Sequence, residues 1–303
     1  MGLNLLQPDN DLSMLIPFCR LMSLFLRQYF LLIILFACQV PAISQGSAES
    51  PYQLSTNREL LIGGAGALTF GIGTLLQNNL AEPLRAELSV PTYEQINGFD
   101  RLGSNVELGD ARRLSDYGLN LGAALPAVLF LGKRQRRDFL TIGLLYAETM
   151  GLVGGLTNVT KAGFGRARPY VYGPDWDPAR PLESGDRASF ISGHTSLSAA
   201  GSFFFARVFA DYHPESRWRP VVWGVAALLP ATTGYLRVRA ARHFPSDVIA
   251  GYLVGASVGM LVPALHRREG RVRLRAVGAG VSLRYSIRSR RVRAARPSRT
   301  ATK

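Results

Sequence analysis

Six apolar stretches, at residues 60–76, 118–131, 139–156, 197–210, 221–236 and 248–265, are separated by turn-rich or charged breaks. Several are shorter than the ~20 residues a helix needs to span a bilayer, so taken singly some also suit the core of a soluble all-α domain. Their flanks favour a membrane. Lys133, Arg134, Arg136 and Arg137 lie between the second and third stretches, Arg217 and Arg219 between the fourth and fifth, and a basic tail follows the sixth. All three connections are cytoplasmic by the positive-inside rule. The pattern predicts an all-α, polytopic membrane helical bundle with about five or six transmembrane helices.

Before the first stretch, Arg20 and Arg27 precede an apolar run at 29–37, and Ala42-Ile43-Ser44 offers a small-x-small cleavage site. The expected organisation is a signal peptide or N-terminal anchor at 1–44, a helical and external segment at 45–117, a membrane domain at 118–265 and a basic tail at 266–303. Cleavage after Ser44 removes Cys19 and Cys38, the only cysteines, and with them any disulfide framework. It also starts the mature chain outside, and a spanning 60–76 segment then puts later connections on the wrong side for their charge. Either that segment packs without crossing, or the N-terminal segment remains.

The net charge of +14 accompanies 47% hydrophobic and 18% charged residues. Residues 267–303 hold 13 Lys/Arg against the single acid Glu269, so the rest of the chain is nearly neutral. Just beyond an apolar segment, that tail reads as a cytoplasmic anchor on anionic membrane lipid rather than a nucleic-acid site; Tyr285 is its only aromatic residue. Gly251, Gly255 and Gly259 form one ridge of a helix on which a neighbour can approach closely. The glycine-rich 63–73 segment lacks the Lys-Ser/Thr of a phosphate loop and is also read as a helix interface.

Three polar clusters interrupt the apolar second half: Lys161 to Pro169, Ser189 to Ser196, and Arg237 to Asp247. The charge pattern puts all three on the external side. Lys161, Arg168 and Arg237 suit the neutralisation of phosphoryl oxygens, and a histidine suits nucleophilic or acid/base work near neutral pH. Singly, Lys161 or Arg168 reads as an interfacial anchor; the company of Arg237, His194 and His243 reverses that. Ser192 and Thr195 are good helix caps, and a helix start also receives anions. His243 and Asp247 share a face if helical, although Pro245 suggests a turn into the helix. His213 and His266 fall on the cytoplasmic side and receive no role.

The clusters resemble the type 2 phosphatidic acid phosphatase (PAP2) and vanadium haloperoxidase superfamily over roughly residues 118–265. Its pattern is Lys-x6-Arg-Pro, Pro-Ser-Gly-His and Ser-Arg-x5-His-x3-Asp. Here it reads as Lys161 with Arg168-Pro169, Ser192-Gly193-His194, and Arg237 with His243 and Asp247. Ile191 stands where the family has proline and Leu236 where it has serine. The resemblance implies that His243, oriented by Asp247, attacks phosphorus and that His194 protonates the leaving oxygen. Lys161, Arg168, Ser192, Gly193 and Arg237 would hold the phosphate, with no metal and no cofactor.

That implies a phosphatase acting on a lipid phosphate or diphosphate in the bacterial inner membrane, its active site facing the periplasm and its partners membrane lipids, with no nucleic acid. Polyprenyl diphosphate, phosphatidylglycerol phosphate, phosphatidate and lipid A phosphate are the candidate substrates. A vanadate-dependent haloperoxidase and a non-enzymatic lipid-binding or transport protein are the alternatives.

Overall fold

The computed structural model describes residues 50–77, 92–268, 272–277 and 280–285. The expected N-terminal signal peptide or anchor and most of the basic tail lie outside them. Each of the six apolar stretches falls in a helix: α1 (Thr56–Leu75), α2 (Ala111–Ala124) continued by a 3₁₀ turn (Leu125–Leu131), α4 (Phe139–Phe164), α5 (Gly193–Tyr212), α6 (Arg219–Arg239) and α7 (Pro245–His266). The short α3 (Lys133–Arg137) carries the first basic connection. An antiparallel hairpin, β1 (Val272–Val277) with β2 (Gly280–Tyr285), follows α7 in what the sequence presents only as a basic tail.

Among the described residues, four helical segments are long and apolar enough to cross a membrane: Ala111–Leu131, Phe139–Tyr172, Arg219–Arg239 and Pro245–His266. Their outer faces expose Leu131, Phe139, Leu228 and Leu253, side chains that water would penalise and lipid accepts. The chain is a helical membrane protein. Helix α5 is absent from that group for a physical reason. It is the central helix, packed by α2, α4, α6 and α7, and Ser196, Ser198, Ala199, Ala200, Gly201 and Ser202 are fully buried along it. Small and hydroxylated residues suit a helix whose neighbours are other helices rather than lipid.

Close approach explains the glycine ridge. A methyl group at Gly251, Gly255 or Gly259 would overlap the carbonyl oxygens of Ser192, Ser196 and Ala200 respectively, so the α7 backbone lies directly on α5. The 63–73 segment is likewise an interface: Gly66 sits on Leu152 and Gly73 on Asn158 and Val159, which lays α1 parallel to α4.

These contacts sort the connections by end. Gln135 of α3 hydrogen-bonds His213, just past α5 (2.8 Å), and Arg267, past α7, pairs with Asp211 of α5 (3.5 Å). The basic connections therefore share one end of the bundle, and α1 starts there too, because Gln53 N donates to His266 O (2.8 Å). All three polar clusters gather at the opposite end.

Candidate active site

Four helix ends build the site. Lys161 lies in the last turn of α4, whose end is marked by Gly165 in the left-handed region (φ 52°). Ser192, Gly193 and His194 open α5, Arg237 lies in the last turn of α6, and Asp247 lies in the first turn of α7. His243 occupies the tight turn between α6 and α7, fully buried. The Lys161 Nζ lies 3.3 Å from where a Cβ on Gly193 would stand, so the lysine closes tightly over the α5 N-terminus and a side chain there would have to displace it slightly. Ser192 N donates to Asp247 O (3.1 Å), locking the α5 start to that of α7.

The histidine in the turn has a defined tautomer. Its Nδ1 lies 2.7 Å from the Ser189 carbonyl oxygen, an atom that only accepts, so Nδ1 carries the proton and Nε2 keeps its lone pair. Asp247 Oδ2 is 3.8 Å from Nδ1, beyond a hydrogen bond. The expected direct hold by Asp247 is thus taken over by a backbone carbonyl. Asp247 instead accepts from Ser189 Oγ (2.6 Å) and Phe244 N (2.9 Å), fixing the residues on either side of the ring.

Three features of this shell are absent from the sequence reading. Arg166 donates through Nη1 to Asp247 Oδ1 (2.6 Å) and through Nη2 to Asp100 Oδ2 (2.7 Å), while its guanidinium stacks 4.2 Å over Phe244. Asp100 also accepts from Ser246 N (2.9 Å) and Asn97 Nδ2 (2.7 Å). Burial raises its carboxyl, but the Arg166 and Ser246 bonds outweigh that and hold it below the usual range. Finally, Asp116 of α2 lies 2.8 Å from His194 Nε2 and 3.7 Å from Arg237 Nη1, with Ser115 Oγ accepting from that same nitrogen (3.2 Å). Arg166 sits inside the first cluster, where only its place two residues before Arg168 marked it; Asp116 carried no signal at all.

The electrostatics suit an anion. Arg168 is anchored through Nε to Gly185 O (2.8 Å) and through Nη1 to Arg242 O (3.4 Å). The buried Nε of Arg237 has no hydrogen-bond acceptor among the described residues. Burial, then the Arg168 and Arg237 charges, push His243 down to about 3 against the opposing pull of Asp247. Burial and Arg237 likewise lower His194 to about 4 although Asp116 pulls it up. Both rings are neutral at pH 7, in a pocket edged by fixed cations.

A buried helix-end site with this order of residues defines a class. The sequence model described as "PAP2 superfamily" matches residues 142–271, so over that segment the chain is similar to the PAP2 superfamily. Among curated relatives, it is 35% identical over 112 residues to a lipid A 1-phosphatase of Porphyromonas gingivalis, covering 37% of this chain and 21% of that protein. It is 36% identical over 132 residues to a lipid A 1-phosphatase of Rhizobium etli, covering 43% and 52%. The chain thus spans about half the length of the second relative and about a fifth of the first. Among solved structures it is similar to Aquifex aeolicus LpxE, with 25% identity, coverage of 57% of this chain and 98% of that one, and a TM-score of 0.39. It is also similar to a transmembrane PAP2 type phosphatidylglycerolphosphate phosphatase from Bacillus subtilis, with 20% identity, coverage of 78% and 93%, and a TM-score of 0.36.

Proposed function

We propose that this protein is a membrane phosphatase that hydrolyses a lipid phosphate or diphosphate through a phosphohistidine. The observation that carries this reading is the His243 tautomer: Nδ1–H is committed to Ser189 O, leaving Nε2 as a nucleophile among Lys161, Arg168 and Arg237. The Nε2 lone pair attacks phosphorus as the bond to the lipid oxygen breaks, and His194 gives its proton to that oxygen. Water then attacks the phosphohistidine, His194 takes up a proton, and the N–P bond breaks to release phosphate. The three cations, the Ser192 hydroxyl and the Gly193 amide stabilise the equatorial oxygens. Bound phosphate brings negative charge beside His194 and raises its proton affinity toward working pH, which the apo site alone does not achieve.

The end of the bundle holding the site faces the periplasm of the inner membrane in this reading, because the basic connections gather at the other end. In that orientation residues 50–55 are cytoplasmic. Lipid A 1-phosphate is the first substrate to test, given the relatives matched, ahead of polyprenyl diphosphate, phosphatidylglycerol phosphate and phosphatidate.

The test uses detergent-purified full-length chain against that panel, with phosphate release as readout and vanadate as a competing anion. Release from at least one lipid, abolished in His243→Ala and reduced about 100- to 10,000-fold in His194→Ala, is expected. Wild-type turnover by His243→Ala at equal protein level refutes the mechanism. Labelling of engineered cysteines near Arg187 but not Arg217 from outside checks the orientation.

A further inference from the structure

At the basic end of the bundle, far from the phosphate site, three buried side chains converge from three helices: Glu59 of α1, Glu148 of α4 and His266 of α7. Their ligand-type atoms lie within 4.8 Å of one another. Asp247 and His266 stand at opposite ends of α7, nineteen residues apart, or about 28 Å at ~1.5 Å per residue. The reaction has no use for this cluster.

The His266 ring is oriented by its own helix. Its Nδ1 lies 2.7 Å from Val262 O, which only accepts, so Nδ1 bears the proton and Nε2 is turned toward the acids. Nε2 is 2.7 Å from Glu59 Oε2 and 3.4 Å from Glu148 Oε2. The other Glu59 oxygen is engaged elsewhere, accepting from Ser55 N (2.8 Å) and Arg58 Nη2 (3.2 Å). Glu148 is different: its side chain is 3% exposed, and neither oxygen has a hydrogen-bond donor among the described residues.

Two carboxylates and one imidazole lone pair facing each other in an apolar interior are held either by protons on the carboxyls or by a cation between them. A single proton on Nε2 satisfies Glu59 and leaves both Glu148 oxygens without a donor. One divalent cation satisfies all three groups. The geometry points to a structural metal site formed by Glu59, Glu148 and His266, binding a first-row divalent ion of the zinc or manganese kind. Imidazole with carboxylate ligands suits such ions, and the Nδ1–H bond to Val262 O is the outer-shell contact that ligating histidines use. Arg58 is held to Glu59 Oε1 (3.2 Å) and to Leu265 O (3.1 Å) and makes no hydrogen bond to either Glu148 oxygen. The metal ties α1, which precedes the matched family segment, to α4 and α7.

The measurement is metal content of full-length protein purified in detergent on a histidine-free tag, by mass spectrometry after equilibration with Zn²⁺ or Mn²⁺ and removal of excess. About one ion per wild-type chain is expected, with occupancy at equal free metal falling about tenfold or more in Glu148→Gln and in His266→Ala. Because either variant can misfold, a second readout uses wild type alone: Zn²⁺ added after chelator treatment raises the unfolding temperature. A metal-free wild type whose unfolding temperature ignores both ions overturns the inference and leaves a buried imidazolium–carboxylate cluster. Equal metal content in wild type and both variants overturns it as well. Neither result depends on phosphate release, so this test and that of the proposed function fail separately.

Discussion

Arg166 bridges two buried carboxylates, Asp247 at 2.6 Å and Asp100 at 2.7 Å, and so joins the start of α7 to a 3₁₀ turn ahead of α2. One planar guanidinium does this with separate nitrogens, a geometry an ammonium cannot reproduce. Arg166→Ala leaves both acids buried without a counter-charge, and a loss of about 3–5 kcal/mol is expected. Arg166→Lys should recover only part of the lost unfolding temperature in detergent. Full recovery by lysine would mean that charge alone, not the bridge, is what the site needs.

Asp116 holds the proton-bearing side of His194 at 2.8 Å. Its charge favours the protonated ring, so Asp116→Asn should lower the His194 proton affinity and move the alkaline limb of the rate profile to lower pH. The carboxylate is half exposed, which limits the effect to at most about tenfold in turnover at pH 7.5, the equivalent of one pKa unit. Steady-state kinetics across pH 5–9 would measure it, and an unmoved limb would remove Asp116 from the acid's environment.

Stability should fall in mild acid for an identifiable reason. His243 is held down to about 3 and His194 to about 4 in the fold, against about 6.5 for a histidine in an unfolded chain. Between those values the unfolded chain binds more protons than the folded one, so stability rises with pH there and is lost as pH falls from about 6.5 toward 4. Thermal unfolding of wild type and His243→Gln at pH 7.5 and 5 tests the sign. The variant should lose less on acidification.

The α5–α7 contact predicts a packing penalty. A methyl at Gly255 overlaps the Ser196 carbonyl oxygen, and Gly255→Ala should cost about 1–3 kcal/mol. Gly143→Ala provides the control, since nothing lies within 4 Å of its added carbon.

The contrast between these residues explains what the sequence made legible. Lys161, Arg168, Ser192, Gly193, His194, Arg237, His243 and Asp247 were visible because each cluster's internal spacing reports one local turn or helix end. The six apolar stretches were visible for the same reason: hydropathy is a local property. Asp116, Asp100 and Arg166 act across helices, at sequence separations of 66–81 residues, and no local pattern encodes such a meeting. His266 illustrates the reverse case. Its local sequence shows only a histidine beside a basic connection, and only the approach of α1 and α4 gives it two acidic neighbours.

Asp100 and Asp116 both lie upstream of the matched segment, which begins at residue 142, yet they neighbour Arg166 and His194 inside it. A chimera that exchanges only that segment between relatives would pair a transplanted acid and guanidinium with foreign counterparts. Swaps intended to alter headgroup preference should therefore place their junction before Asn97, which itself hydrogen-bonds Asp100 (2.7 Å), and carry the upstream helix along.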